Sequence, residues 1–447
     1  MADFTHSVTL DKDKCLGCTN CIKRCPTSAI RVENGKARIL SARCIDCGEC
    51  IRVCPHHAKI AVCQSLDILN QYQYTIALPA PSLYAQFNNL DGPEIVVEGL
   101  RKLGFDDVFE VAQAAELVSD ATRKYIKNSD PEITLISSAC PTISRLIRIR
   151  FPDLIDNLLP LLTPAELAGK LAREKAMAET GLSADQIGTV FISPCTAKAS
   201  SIYSPIGLEK STIDAVVSIK DVYKRLVGVM PKIDDAFDVS SGRVGISWGS
   251  SGGEAAALLT DSYLAADGIE NCIKVLNEME DEKLNDIKFV ELNACPGGCV
   301  GGVFTVENPF IAKVKLKSLR KYLPPYKNII PEEIVPEEYR WNSEMEYNPV
   351  MELDPDMEKA FAMMEEIERL TEKLPGLNCG SCGSPSCRAL AEDIVRGYST
   401  ENACVFVLRD EVQQIADLLS KISGIGMGRR PSKLKKIKNF NKNGEDR

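Results

Sequence analysis

Eighteen cysteines in a chain of 447 residues constrain this sequence more than any other feature. They fall into sets. Cys15, Cys18, Cys21 and Cys25 precede Pro26, and Cys44, Cys47, Cys50 and Cys54 precede Pro55. Each run reads C-x2-C-x2-C-x3-C-P, a spacing that wraps three thiolates around one 4Fe–4S cubane and sends the fourth across to a neighbouring cubane. Cys15, Cys18, Cys21 and Cys54 are expected to hold one cluster, and Cys44, Cys47, Cys50 and Cys25 the other. Zinc also accepts four thiolates, but two tandem runs each closed by Cys-Pro favour iron–sulfur and one-electron transfer.

A further set is Cys379, Cys382, Cys387 and Cys404, spaced C-x2-C-x4-C-x16-C. Gly380 and Gly383 let the backbone curl close to a cubane and aim N–H groups at it. The expectation is a third 4Fe–4S cluster, with a zinc knuckle as the competing chemistry. The first two runs match the bacterial two-cluster ferredoxin pattern. This further set resembles the small iron–sulfur domain of electron-transfer and corrinoid proteins of anaerobes.

Four more cysteines stand apart, at 140, 195, 295 and 299. Buried apolar packing is the common fate of such thiols, but their setting argues otherwise. ITLISS (133–138), GTVFIS (188–193) and IKFVEL (287–292) read as buried strands that end just before Cys140, Cys195 and Cys295. Ligands gather beyond the carboxyl ends of strands in parallel α/β sheets. Pro141, Pro194 and Pro296 stiffen the loops that carry the thiols.

The bulk of the chain narrows the chemistry further. It is 45% hydrophobic and 26% charged, with a formal net charge of -9, which argues against nucleic acid or an anionic membrane as the main partner. The opening MADFTHSVTL lacks a secretory signal pattern. No apolar run approaches the roughly 18 residues of a membrane span, so a cytoplasmic location is expected, where many cysteines indicate metal rather than disulfides. With only His6, His56 and His57 present, histidine-ligated zinc enzymes are poorly supplied.

At the scattered cysteines the chain resembles the catalytic domain of the iron-only (FeFe) hydrogenases. That family carries T-S-C-C-P-x-W; here the segment is Ser137, Ser138, Ala139, Cys140, Pro141, Thr142, Ile143. Its M-P-C-x-x-K-x-x-E stands as Ser193, Pro194, Cys195, Thr196, Ala197 and Lys198, with Ser201 last. Its E-x-M-A-C-x-x-G-C-x-x-G-G runs from Glu291 through Asn293, Ala294, Cys295, Gly298 and Cys299 to Gly301 and Gly302. The resemblance covers roughly residues 1–325. It implies that Cys140, Cys195, Cys295 and Cys299 hold a cubane and that Cys299 bridges to a di-iron unit bearing CO, cyanide and a dithiolate, together the H-cluster. It also implies that Lys198 offsets one cyanide, and that Pro81 and Ser82, after the strand YTIALPA, touch the other.

Departures from the pattern cluster around the di-iron position. Ala139 stands where the family has a second, proton-passing cysteine; a methyl group has no exchangeable proton, and losing a positioned acid or base typically costs about 10²- to 10⁴-fold. Ser193 and Asn293 replace methionines, Ile143 a tryptophan and Ser201 a glutamate. Glu116 matches an outer glutamate of the family's proton path, but its partner one turn earlier is Gln113. This combination resembles the sensory branch of the family. A replacement acid is Glu254: RVGISW (243–248) reads as a strand, followed by a glycine turn, with Glu254 opening the next helix. A carboxyl in an apolar pocket has a raised pKa and can shuttle protons near neutrality, whereas a glutamate at a helix start also serves the macrodipole.

The sequence divides into a two-cluster domain (1–70, α+β, ferredoxin-like), a two-lobed α/β H-cluster domain (71–325), a proline- and glutamate-rich strap (326–353), and a helix with a small, mostly helical iron–sulfur domain (354–425). A basic tail (426–447) is expected to be disordered. Asp354 is expected to cap a helix whose face carries Met357, Phe361, Met364, Ile367, Leu370 and Leu374. That face is expected to pack in the core or to serve a homodimer or a partner, and DEVQQIADLLSKI forms another amphipathic helix. Cys63 and Cys272 are expected in packing roles, and His56 and His57 at the surface. The function implied is reversible oxidation of H2, slow and regulatory. An electron carrier such as ferredoxin or a signalling protein would be the partner, and maturation enzymes would supply the di-iron unit. The alternative is a non-catalytic electron-transfer or cluster-assembly protein without that unit.

Overall fold

The computed structural model describes residues 6–130, 133–230, 240–284 and 286–423; the basic tail lies outside them. The first cysteine runs sit on a small frame of β1 (Val8–Leu10), α1 (Asn20–Lys23), β2 (Ile30–Glu33), β3 (Lys36–Ile39), α2 (Glu49–Arg52) and β4 (Lys59–Ala61). β1 pairs antiparallel with β4, and β2 with β3. Asn34 and Gly35, at φ 51° and 73°, make the two-residue turn between β2 and β3 that both residue types favour. The cysteines follow in short loops, so two tiny ribbons leave the thiols facing a common interior.

The middle of the chain forms two lobes, each on its own parallel sheet. It runs β5 (Tyr74–Pro79), α3 (Pro93–Lys102), β6 (Asp107–Val108), α4 (Val111–Asn128), β7 (Leu135–Ile136), α5 (Pro141–Arg150) and α6 (Pro164–Thr180). There follow β8 (Ile187–Ser193), α7 (Thr196–Ser201), β9 (Ala215–Ser218), α8 (Ile219–Val229), α9 (Arg243–Ser247) and α10 (Gly253–Ala256). β10 (Tyr263–Asp267), α11 (Ile269–Glu280), β11 (Phe289–Asn293) and α12 (Pro309–Leu319) complete it. One sheet has the order β6-β5-β8-β9 and the other β10-β11-β7, with every neighbour parallel. β8 is buried at all seven positions, as a strand covered on both faces must be. The carboxyl ends of β5 and β8 meet those of β7 and β11, which brings the cysteine-bearing loops to one place.

Two expectations are corrected. RVGISW is not a strand: Arg243–Ser247 is helix α9. A short apolar run does not choose between strand and helix. Here the choice follows from tight packing, since a Cβ on Gly245 would lie 2.0 Å from the Ala112 carbonyl oxygen of α4. The last long helices are α13 (Met357–Lys373), α14 (Cys387–Val395) and α15 (Val405–Ser423). The cap of α13 is Asp356, whose carboxylate accepts from Glu358 N and Lys359 N; Asp354 instead accepts from Asp356 N. On α13 only Ile367 and Leu370, with Leu374 just beyond, are buried, while Met357 and Phe361 are exposed.

Between the lobes and α13, residues 326–353 run mostly extended, with Leu162 N bonded to Tyr339 O and Trp341 N to Pro160 O. The C-terminal unit docks on the first one. Arg31 forks onto Asp393 at 2.6 and 2.9 Å, Arg43 reaches Glu392 at 2.6 Å, and Val32 N donates to Gly383 O at 2.9 Å. On its other side the first unit meets the lobes: Thr196 Oγ1 donates to Asp46 O and Arg52 Nη2 to Gly301 O. No helix among the described residues is long and apolar enough to cross a membrane.

Candidate metal centre

Each of the first two thiol sets lines its own cavity. Cys15, Cys18, Cys21 and Cys54 surround one, and Cys25, Cys44, Cys47 and Cys50 the other, so Cys25 and Cys54 each sit with the first three thiols of the other run. Backbone N–H groups point at the crossing thiols, Ala29 N at Cys25 Sγ and Ala58 N at Cys54 Sγ, both at 3.2 Å. Lys59 also lines the first cavity, buried and with no hydrogen-bond partner for its Nζ. It lowers the pKa of Cys21, which burial raises. A buried ammonium without an acceptor is costly unless an anion occupies the cavity. A thiolate-bound cubane is such an anion, so the donor set fits the group.

Cys379, Cys382, Cys387 and Cys404 are gathered between α13 and α14, where Cys404 is buried and Cys382 feels the charges of Cys404 and Cys379. Val32, which lines the first cavity, is also the residue that bonds to Gly383 of this set's loop.

Cys140, Cys195, Cys295 and Cys299 line one cavity at the meeting of the two sheets, and Cys47 of the second thiol set lines the same cavity. Burial raises all of Cys195, Cys295 and Cys299; Cys195 is pushed up to about 12 despite Lys198. Thiols held up in this way lose their protons to a metal rather than to water. Lys198 Nζ lies 3.6 Å from Cys299 Sγ. Burial works against its charge, but Cys299, Cys195, Cys140 and Cys295 outweigh that and raise its pKa.

Beyond Cys299 a second pocket opens, lined by Pro81, Ser82, Ala139, Lys198, Trp248, Glu254, Glu291 and Asn293. Ser82 is fully buried, and its hydroxyl has no partner. An unsatisfied donor and a cation facing one apolar pocket suit a ligand rich in acceptors. Of the residues expected there, Ser193 does something else: its hydroxyl donates to Cys195 O and accepts from Cys195 N, bracing the thiol loop. Asn293 lines the pocket but also donates to Glu291 at 2.6 Å. Ile143, on α5, is buried in the core, and Ser201 Oγ donates back to Lys198 O.

Glu254 opens α10 and is buried. Burial first, then the Glu291 carboxylate, push its pKa well above the usual range, against pulls from Ser137 and Lys198. Burial also raises Glu291, but Gly252 N, Ala255 N and the Asn293 amide all donate to it. Glu291 is therefore the better anion of the pair, and Glu254 the more readily protonated. Glu116 is no pocket residue: it accepts from Gly242 N, Lys327 N and both the backbone and side chain of Asn328, a clamp on two loops.

Three residues escape sequence reasoning. Lys59 is one. Arg52 donates to Cys47 O and lines the cavity of Cys295, linking the second thiol set to the central one. Trp248 walls the pocket and donates to Ser119. Only their nearness to cysteine or glycine motifs could have singled them out. Cys272 is buried with its thiol 3.4 Å from Asn293 O, and Cys63 packs at the edge of the core. His57 is exposed, whereas His56 is half-buried at the first cavity.

Comparison with known proteins follows the same geography. The family model for the C-terminal domain of the iron-only hydrogenase large subunit matches residues 73–260 and 254–303. A 4Fe–4S dicluster domain matches 7–55 and an Fe–S cluster domain 374–406. Iron hydrogenase 1 of Clostridium pasteurianum is 26% identical over 393 residues, 71% of this chain and 68% of that protein. The periplasmic Fe hydrogenase large subunit of Nitratidesulfovibrio vulgaris is 27% identical over 365 residues, 67% of this chain and 86% of that protein. A solved FeFe-hydrogenase variant from Chlamydomonas reinhardtii aligns at TM-score 0.46 and 17% identity, over 56% of this chain and 86% of that one.

Proposed function

The chain belongs to the iron-only hydrogenase family, and from that premise we propose that it interconverts H2 with protons and electrons at an H-cluster, slowly, as a reporter of hydrogen. Cys140, Cys195, Cys295 and Cys299 would hold the cubane, with Cys299 bridging to the di-iron unit. Bound there, the group supplies the metal centre at which hydrogen is made or split. Lys198 and Ser82 would hold the anionic ligands of the di-iron unit, and Pro81 would shape that wall.

The observation that carries the reading is the composition of one pocket. Lys198, Ser82 and Cys299 face it as binding groups, while Ala139 stands on its wall with no proton to give. Glu254 lines the same pocket and holds its proton, so it is the group to replace the missing thiol. One acid displaced from the usual position supports slow turnover, which suits sensing better than bulk hydrogen production.

Electrons would travel through the three outer clusters. The docking contacts support the order: the Cys379 set lies across Val32 from the Cys15 set, and Cys47 shares a wall with Cys295. The domains are proposed as 1–70, 71–325, 326–353 and 354–425. A ferredoxin or a signalling protein would exchange electrons or state with the chain. Maturation enzymes would install the di-iron unit, and a reducing cytoplasm would keep the thiols free.

Infrared spectroscopy after anaerobic production with maturation enzymes tests this. Sharp CO and cyanide bands that shift under hydrogen are expected. Their absence in a chain with full cubanes would leave an electron-transfer or cluster-assembly protein.

A further inference from the structure

Helix α15 begins at Val405, directly after the ligand-type cysteine Cys404. Its first turn is anchored, since Phe406 and Val407 pack against the cluster of Ile367, Leu370 and Leu390. Apart from those two, the apolar residues of the helix face outward. Val405, Leu408, Val412, Ile415, Leu419 and Ile422 are 44% to 82% exposed, and Leu418 stands beside them at 58%.

The spacing of those six is three, four, three, four, three. They fill every a and d position of a heptad across the helix, with Val405, Val412 and Leu419 at a and Leu408, Ile415 and Ile422 at d. A face apolar at every a and d position, widened by Leu418 at g, is one that a helix buries against a partner. Asp410, Gln413, Gln414, Asp417 and Lys421 keep the other side polar. Most helical stability in proteins comes from packing an apolar face, and on α15 Phe406 and Val407 are the residues packed against the buried cluster.

We propose that α15 is a self-association helix that pairs with the α15 of a second copy of this chain. Three features select a second copy. A stripe apolar at every a and d position complements itself about a two-fold axis. The flanking e and g positions of the helix carry only Arg409 and Glu411 as charges, one of each sign. Valine at a with leucine at d in the first heptad, Val405 with Leu408, is the combination that suits two strands. Burying the stripe removes on the order of 1,200 Å² over both copies, which reaches the lower end of stable specific interfaces.

The test uses the full chain with its clusters loaded anaerobically, followed by sedimentation from sub-micromolar to high micromolar concentration. A dimer is expected. The double variant V412D/I415D places two carboxylates in the seam and should weaken association by about 100-fold or more, with iron content and visible spectrum unchanged. A wild-type chain that stays monomeric throughout overturns the proposal, as does a dimer that survives the double substitution. Should that variant fail to accumulate, Ile422→Cys decides: a short bismaleimide should join two copies at this position, and a chain left uncrosslinked at dimer-forming concentration overturns the pairing.

Discussion

The Ser137 hydroxyl lies 2.8 and 2.7 Å from the two carboxyl oxygens of Glu254, and its oxygen accepts the N–H of Ala139 at 3.2 Å. One side chain thus ties the buried acid to the backbone of the position where the family carries its proton-passing cysteine.

Restoring a thiol there should restore the shorter route. Ala139→Cys is expected to raise hydrogen evolution with a viologen donor by roughly 10²-fold, and Glu254→Gln to lower it by a similar factor. Unchanged rates in Glu254→Gln would remove that residue from the mechanism.

Glu254 also has a signature in stability. Its folded pKa lies above the unfolded value of about 4.3, so the folded chain keeps a proton that the unfolded chain has lost. Stability from this group is therefore intact below the unfolded pKa and declines as pH rises toward the folded value. Anaerobic calorimetry should show the Tm of the native chain falling more steeply with pH, over that window, than the Tm of Glu254→Gln. Parallel curves would mean that the carboxyl ionises as freely folded as unfolded.

Lys59 should set a potential. Removing a buried cation beside an anionic cluster favours its oxidised form. Lys59→Met is expected to lower the midpoint of the Cys15–Cys18–Cys21–Cys54 cluster by on the order of 100 mV, from about 1–3 kcal/mol of charge interaction. An EPR-monitored redox titration reads this directly, and an unmoved midpoint would place the ammonium's field elsewhere.

The bond between the first and last units is open to the same kind of test. Arg31 and Asp393 are both buried, and Ser384 Oγ adds a third contact to the carboxylate at 2.9 Å. Asp393→Asn leaves the guanidinium short of its counter-charge, at a cost of about 3–5 kcal/mol. Limited proteolysis should then release the segment after residue 354 while hydrogen chemistry with a small diffusing donor persists. Equal protease resistance in both forms would show that Arg43–Glu392 and the Val32–Gly383 bond suffice.

Much of this is legible in the sequence, because metal ligation depends on spacing. The crossing of Cys25 and Cys54 between cavities follows from two identical runs, and the convergence of Cys140, Cys195 and Cys295 from strands that end just before them. Arg243–Ser247 reads wrongly as a strand because Gly245 packs backbone to backbone against Ala112, a tertiary fact with no local mark. The cap of α13 slips from Asp354 to Asp356 because both offer the same carboxylate two residues apart. Lys59 and Arg52 are invisible as site residues, since a charged side chain in a short strand or helix reads as surface until its burial is known.

The orphaned ammonium of Lys59 bears on how the chain is born. With no anion facing it, the Lys59 ammonium is a buried cation without a hydrogen-bond partner, beside the buried thiols of Cys15 and Cys21. An anionic cluster in that cavity offsets the cost of burying the ammonium. A group that binds only the folded chain stabilises it, so filling this cavity and folding the first unit are thermodynamically linked.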